Sequence, residues 1–204
     1  MSGAGGAPQA RIGIMGGTFD PIHHGHLVCA QEAFHQFDLN EIVFIPAGNP
    51  WQKTTVTSAE DRFRMTVIAT ADNGDFSVSR IEIETFGPTY TANTLEALQD
   101  HYGESTQLYF ISGADAVQRI LTWKQPEAVL SGAKFIAASR PDFDLSGLTQ
   151  AGLEDRVTFM KIPSLAISSS DIRRRVAEGR PIRYLVPAAV AEFILERGLY
   201  RQAR

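Results

Sequence analysis

Six short strand-like runs alternate with helix-like runs along this chain, and that alternation limits its fold more than any other feature. The strand-like runs are Arg11–Met15 (RIGIM), Glu41–Ala47 (EIVFIPA), Phe76–Glu84 (FSVSRIEIE), Gln107–Ser112 (QLYFIS), Lys134–Ser139 (KFIAAS) and Val157–Ile162 (VTFMKI). Several are rich in β-branched or aromatic residues, and most end at Gly, Pro or Ser. Between them lie helical patterns. One runs from about His26 to Phe37, and another follows Thr57-x-x-Glu60, which has capping-box spacing. A third sets Leu95, Leu98 and Tyr102 on one face, with Thr91 or Asn93 as its cap. The last spans Pro187 to Arg197, with Val190, Phe193 and Ile194 on one face and Gly198 just beyond its end. Strand–helix alternation implies parallel strands joined by right-handed crossovers, hence an α/β doubly wound parallel sheet. Residues 11–204 are read as a single domain with a small C-terminal helical part, and residues 1–10 as a flexible Gly/Ala-rich tail. In such a sheet a ligand sits at the carboxyl ends of the strands, so the turns after Met15, Ile45, Ser112, Ser139 and Ile162 are the places to look.

Charge and composition narrow the ligand. Of 204 residues, 44% are hydrophobic, enough for a sizeable core, yet no apolar run approaches the roughly 18–20 residues that span a bilayer. The formal charge of −4 argues against a general nucleic-acid binder. Cations are nevertheless bunched at Arg173-Arg174-Arg175 and at the histidines from His23 to His26, which suits a small anion. A single cysteine, Cys29, rules out an intrachain disulfide and suits a reducing compartment, and the tail lacks the basic start and hydrophobic stretch of a signal peptide. The expectation is a cytoplasmic protein, with no nucleic-acid or membrane partner and with homo-oligomerisation left open.

After the first strand comes Gly16-Gly17-Thr18-Phe19-Asp20-Pro21-Ile22-His23-His24-Gly25-His26. The glycine pair permits a sharp turn or close approach to a bound group, and Asp20-Pro21 reads as a turn before a helix starting near His24 or Gly25. It is neither a Walker A loop nor GxGxxG. His23 and His26, three apart, would share a face at a helix N-terminus, where free N–H groups and partial positive charge welcome phosphate. Zinc is the obvious rival, although further clustered His or Cys ligands are lacking. Plain packing of two histidines at a helix start is the third reading.

Near the other end stands Ile167-Ser168-Ser169-Ser170-Asp171-Ile172-Arg173-Arg174-Arg175-Val176. The serines form a good N-cap region. Three arginines in the first turns of a helix oppose its dipole unless an anion compensates, so hydroxyls, N–H groups and Arg173 together read as a phosphate clamp. Arg174 and Arg175 read as a wetted surface face.

Gly-Gly-Thr-Phe-Asp-Pro-x-His-x-Gly-His resembles the signature of the nucleotidylyltransferase superfamily, with its HxGH on His23 and His26. Ile-Ser-x-Ser-x-Ile-Arg is similar to that superfamily's second motif, ISxTxxR, with Ser170 in place of Thr. In the middle, Gly87-Pro88-Thr89-Tyr90-Thr91-x-x-Thr94-Leu95 resembles the PSYTxxTL segment of bacterial nicotinate-mononucleotide adenylyltransferases. Ile111-Ser112-Gly113-Ala114-Asp115 resembles their IIGxDxL element, Thr122-Trp123 their TW segment, and Ser139-Arg140-Pro141 their xRPG region with Asp142 replacing Gly. Asn49-Pro50-Trp51-Gln52-Lys53 stands where the family has NxPPHK. It keeps the lysine but departs at Trp51-Gln52.

The resemblance covers nearly all of Arg11–Arg201, the Gly198-Leu199-Tyr200 ending included. It implies a Rossmann-like nucleotidylyltransferase fold and transfer of AMP from ATP to nicotinate mononucleotide, with pyrophosphate released. On that basis His23, His26 and Arg173 are the expected catalytic residues. ATP would meet Gly16, Gly17, Phe19, Lys53, Gly113, Asp115, Arg140, Ile167, Ser168 and Ser170. The mononucleotide would meet Thr18, Tyr90, Thr91 and Trp123. Mg²⁺ would arrive on the ATP phosphates, because no dense carboxylate cluster is present to cage it. Phosphopantetheine adenylyltransferases share both end motifs and are the nearest alternative. A fragment of a class I tRNA synthetase and a non-catalytic nucleotide sensor are weaker ones.

Overall fold

The computed structural model describes residues 9–50, 57–117, 119–139, 153, 155–163 and 165–201, excepting the Asp115 side chain. Six strands, β1 (Arg11–Gly17), β2 (Glu41–Pro46), β3 (Phe76–Val78), β4 (Gln107–Gly113), β5 (Lys134–Ser139) and β6 (Val157–Lys161), form one sheet in the order β3-β2-β1-β4-β5-β6. Every pairing is parallel. The order runs outward from β1 in one direction and from β4 in the other. The crevice between the ends of β1 and β4 is therefore the topological switch point at which such sheets bind ligands.

Residues alternate between two cores because strand side chains alternate between faces. Met15, Phe44, Ile111, Ala138 and Met160 belong to one core, and Ile14, Ile45, Phe110, Ala137 and Val157 to the other. The first is covered by α1 (His24–Gln36), α2 (Ala59–Thr70) and two C-terminal helices, α6 (Ser169–Ala177) and α7 (Ala188–Glu196), through residues such as Ala30, Met65, Ile172 and Ile194. The second is covered by α3 (Thr91–Tyr102), the one-turn α4 (Ala114–Val117) and α5 (Pro126–Gly132), through Leu95, Val117 and Val129. A sheet buried on both faces is what its near-continuous apolar strands require. No helix among the described residues is long and apolar enough to cross a membrane.

Three local expectations need correction. The third strand stops at Val78, and Ile81–Glu84 is a turn. Ser79 Oγ accepts from the Ile81 N–H, the Ile83 and Glu84 N–H groups bond back to the Arg80 carbonyl, and the Arg80 side chain is drawn to Glu60 and Glu84. These local bonds outcompete a ladder that only one neighbouring strand could supply. The cap of α2 is Ser58, not Thr57: Ser58 Oγ accepts from the Asp61 N–H at 3.0 Å, while the Thr57 hydroxyl is engaged with Asp20. Neither Thr91 nor Asn93 caps α3. Its N-cap is Tyr90, with Thr91 the first helical residue.

Candidate active site

The first motif leaves β1 and turns into α1. Phe19 takes a left-handed backbone (φ 51°) and is 2% exposed, its ring folded back over Gly17. A Cβ on Gly17 would lie 2.7 Å from that ring, so only glycine fits beneath it. The Phe19 ring meets the His26 imidazole edge-on, with centroids 5.1 Å apart. His23 is the N-cap of α1, in extended conformation, and its ring stacks on His26 at 3.7 Å. Space is tight here too: a Cβ on Gly25 would lie 3.0 Å from His23 Nδ1 and would press on that ring.

Hydrogen bonding fixes the His26 imidazole. The His23 N–H donates to His26 Nδ1 at 3.2 Å, so Nδ1 keeps its lone pair and the ring N–H lies on Nε2. His23 is 7% exposed, and burial lowers its pKa to about 4, against the smaller opposing influence of a backbone hydrogen bond. It is neutral near pH 7. The pair therefore supplies neutral imidazole groups at a helix N-terminus, where the backbone provides the positive potential.

The second motif enters the same place from α6, and its three serines have three tasks. Ser168 is the N-cap and accepts from the Asp171 N–H at 3.2 Å. Ser169 Oγ donates to the Pro21 carbonyl at 2.8 Å, tying the second motif to the first. Ser170 Oγ accepts from Arg173 Nη2 at 3.3 Å, while Arg173 Nη1 donates to the Asp20 carbonyl at 2.7 Å. The anion that balances the other arginines is Asp171. Arg175 Nε donates to it at 2.6 Å, Arg174 pairs with its other oxygen, and together they hold its carboxyl down at about 2. Arg173 is thus set apart from its two neighbours.

One cleft of about 890 Å³ is lined by Gly16, Gly17, Thr18, Phe19, His23, His26, Gly113, Ile167, Ser168, Ser170 and Arg173, bringing the two end motifs together. A smaller cavity of about 210 Å³ adjoins it, shares Gly16, Gly17, Thr18, Ser112 and Ala116, and is lined at its far side by Thr91, Thr94 and Trp123. Trp123 stands edge-on to Phe110, with centroids 5.9 Å apart. Tyr90 caps α3 beside Thr89 and Thr91 and is not among the lining residues of either cavity. Lys53, Arg140 and the Trp51-Gln52 pair lie outside the described residues, as does most of 141–155; Asp115 sits in α4, its side chain likewise outside them.

Several contributors were not read from the sequence. Arg62 is 1% exposed and donates through Nη1 to the Thr18 carbonyl at 2.8 Å and through Nη2 to the Gly48 carbonyl at 3.0 Å, fastening the turn after β1 to the turn after β2. The signal existed: Arg62, Met65, Thr66, Ala69 and Thr70 form the buried stripe of α2 at helical spacing, with the arginine inside it. Asp20, read only as a turn former, is 3% exposed and accepts from Thr57 and Tyr200. Among the described residues, Glu82 and Arg119 bring charges to the lining of the smaller cavity. Glu82 accepts from the Thr94 hydroxyl at 2.9 Å, a pairing hidden while Ile81–Glu84 was read as strand.

Comparison with known proteins shows the family. The family model described as cytidylyltransferase-like matches residues 14–175. A protein of Leifsonia xyli named probable nicotinate-nucleotide adenylyltransferase is 53% identical over 95% of this chain and 95% of its own length. A protein of Saccharopolyspora erythraea with the same name is 51% identical over 95% of this chain and 91% of its own. Among solved structures, the nicotinic acid mononucleotide adenylyltransferase of Plasmodium falciparum complexed with NaAD superposes with a TM-score of 0.79, covering 94% of this chain and 97% of that one, at 22% identity. That superposition shows the fold alone. Two motifs meeting at the β1–β4 crevice, a family match through both, and relatives half identical over nearly the whole length establish that the chain belongs to the cytidylyltransferase-like family and, within it, to the nicotinate-nucleotide adenylyltransferases.

Proposed function

We propose that the chain transfers AMP from ATP to nicotinate mononucleotide, giving nicotinate adenine dinucleotide and pyrophosphate, a step of NAD synthesis. The observation that carries this reading is the pair of adjoining cavities. The larger gathers two helix N-termini, two imidazoles and Arg173, and the smaller gathers Thr91 and Trp123, with Gly16–Thr18 as their common wall. An oxygen of the mononucleotide phosphate forms a bond to the α-phosphorus of ATP while the bond from that phosphorus to the bridging oxygen breaks. No protein nucleophile is required, because the attacking phosphate is already anionic.

The residues position two mutually repelling anions and offset charge on the departing pyrophosphate. His26 presents its Nε2 proton to the triphosphate, and stacking on His23 holds the ring in place. Ser168, Ser170 and Arg173 hold the outer phosphates together with Lys53. Thr91 and Trp123 hold the pyridine ring, to which indole offers a flat stacking face. Among the described residues no three His, Cys, Asp or Glu side chains gather in a way suited to a metal ion. Asp20, the carboxylate nearest the phosphate turn, already accepts from Thr57 and Tyr200. This donor set fits Mg²⁺ carried on phosphate oxygens, where it would neutralise their charge. Two charged nucleotide substrates and a single buried cysteine fit the cytoplasm.

Pyrophosphate release with Mg-ATP and either nicotinate or nicotinamide mononucleotide, with phosphopantetheine as control, tests the reading. Strong turnover with nicotinate mononucleotide is expected. Turnover with phosphopantetheine alone would replace the acceptor, and ATP binding without turnover of any acceptor would favour a nucleotide sensor.

A further inference from the structure

Tyr200 reaches back 180 residues to the turn of the first motif. Its hydroxyl donates to Asp20 Oδ1 at 2.7 Å, and the Thr57 hydroxyl donates to the same oxygen at 2.6 Å. The Asp20 backbone carbonyl in turn accepts from Arg173 at 2.7 Å. One buried residue therefore joins the segment entering α2, the C-terminal end of the described chain and the arginine of the phosphate cleft. Charge-assisted O–H···O⁻ bonds of this length are among the stronger ones available to a protein.

Tyr200 holds a left-handed backbone (φ 62°), a conformation a bulky residue keeps only when its surroundings over-determine it. Burial beside the Asp20 carboxylate pushes its phenol well above the ordinary range, so it remains a donor at any working pH. Simple attachment of the C-terminal segment does not need this bond. Arg197 already pins the same segment to α2 through Asp61 at 3.1 Å, and neither Arg197 nor Asp61 lines the phosphate cleft.

We propose that Tyr200 is a positioning residue for the phosphate end of the site: by holding the Asp20 carboxylate it fixes the Asp20 carbonyl on which the Arg173 guanidinium rests. Tyr200 does not line either cavity and acts through Asp20. The inference rests on the adenylyltransferase reading for its kinetic consequence, but not for its consequence on ATP binding.

The test compares Tyr200→Phe with Arg197→Gln in the full chain. Displacement of Arg173 should lower kcat about 10-fold in Tyr200→Phe, leave the mononucleotide KM within about twofold, and raise the Kd for Mg-ATP severalfold. Arg197→Gln, which loosens the same segment, should leave kcat and the ATP Kd at wild-type values. Equal kinetic losses in both variants would reduce Tyr200 to a structural tie and overturn the proposal, as would wild-type kcat in Tyr200→Phe. Should Tyr200→Phe fail to fold, Asp20→Asn removes the charge that strengthens the Tyr200 bond, and wild-type kcat and Mg-ATP Kd there would equally overturn it. If the wild-type chain turns over no mononucleotide, the adenylyltransferase reading fails and the Mg-ATP Kd of the same variants still decides the role of Tyr200.

Discussion

His23 and His26 lie face to face, their ring centroids 3.7 Å apart and their planes inclined by 21°. The His23 N–H bonds to Nδ1 of its neighbour, so the outer imidazole is held by stacking on one side and by hydrogen bonding at its rear. His26→Ala should remove a pre-aimed donor to charge that develops on the phosphates, lowering kcat at least ~10²-fold. Circular dichroism should show the fold unchanged. Near-wild-type turnover would end the catalytic assignment.

The buried partner has a different signature. Above pH 6.5, His23 is neutral in both folded and unfolded chains and costs nothing. As pH falls from 6.5 toward 4, the unfolded chain takes up a proton that burial keeps off the folded one, so stability drops through that window. The loss should reach ~2 kcal/mol by about pH 5. His23→Gln should flatten the stability profile there in denaturant titrations, and an unchanged slope would show that other groups set it.

Arg62 joins two turns from inside the protein. Arg62→Met keeps much of its volume but leaves the Thr18 and Gly48 carbonyls without their donor, a loss of ~2–4 kcal/mol. Thermal unfolding should report it. A melting temperature within a degree or two of wild type would mean the two turns hold each other without the guanidinium.

How much of this was legible in the sequence depended on whether the signal was local. Lys134–Ser139 matched its strand end to end, because a short apolar run bounded by turn residues can hardly be anything else in a strand–helix alternation. The two end motifs were legible as local clusters because residues close in sequence remain close in space there, and both line one cleft. Tyr200 was not, because its partner lies 180 residues away and nothing in the flanking sequence announces it. The helical stripe of α2 marks Arg62 as buried, but not the Thr18 carbonyl it meets 44 residues away. The turn at Ile81–Glu84 was misread for a related reason. Its alternating apolar residues fit a strand, and periodicity does not register the bonds to Ser79 Oγ and the Arg80 carbonyl, or the pairing of Arg80 with Glu60 across 20 residues, that bend the chain.

Trp123 and Thr91 line the smaller cavity and not the larger, so on the proposed reading the indole meets the mononucleotide and not ATP. Trp123→Ala should raise the KM for the mononucleotide about 10-fold while the KM for ATP moves little, since a stacking surface is lost on one side only. Comparable rises in both constants would place the indole in the general framework of the cleft.

Cys29 lies in the wall of the larger cavity, yet it is 8% exposed and burial pushes its thiol up to about 12. The folded protein should resist thiol-directed reagents at mildly alkaline pH and label only in denaturant. Rapid labelling of the native protein, with loss of activity, would show that the cavity opens further than its walls suggest.

The residues that close around the β1–α1 turn are strung far apart along the chain. Asp20 waits for Arg173 across 153 positions and for Tyr200 across 180. During synthesis the β1–α1 turn must therefore leave the ribosome long before the groups that complete it exist. Asp20 meanwhile has neither the arginine on its carbonyl nor the phenol on its carboxylate. Closure of these long loops is among the slower events available to a folding domain. The turn consequently reaches its folded arrangement only once almost the whole chain has emerged.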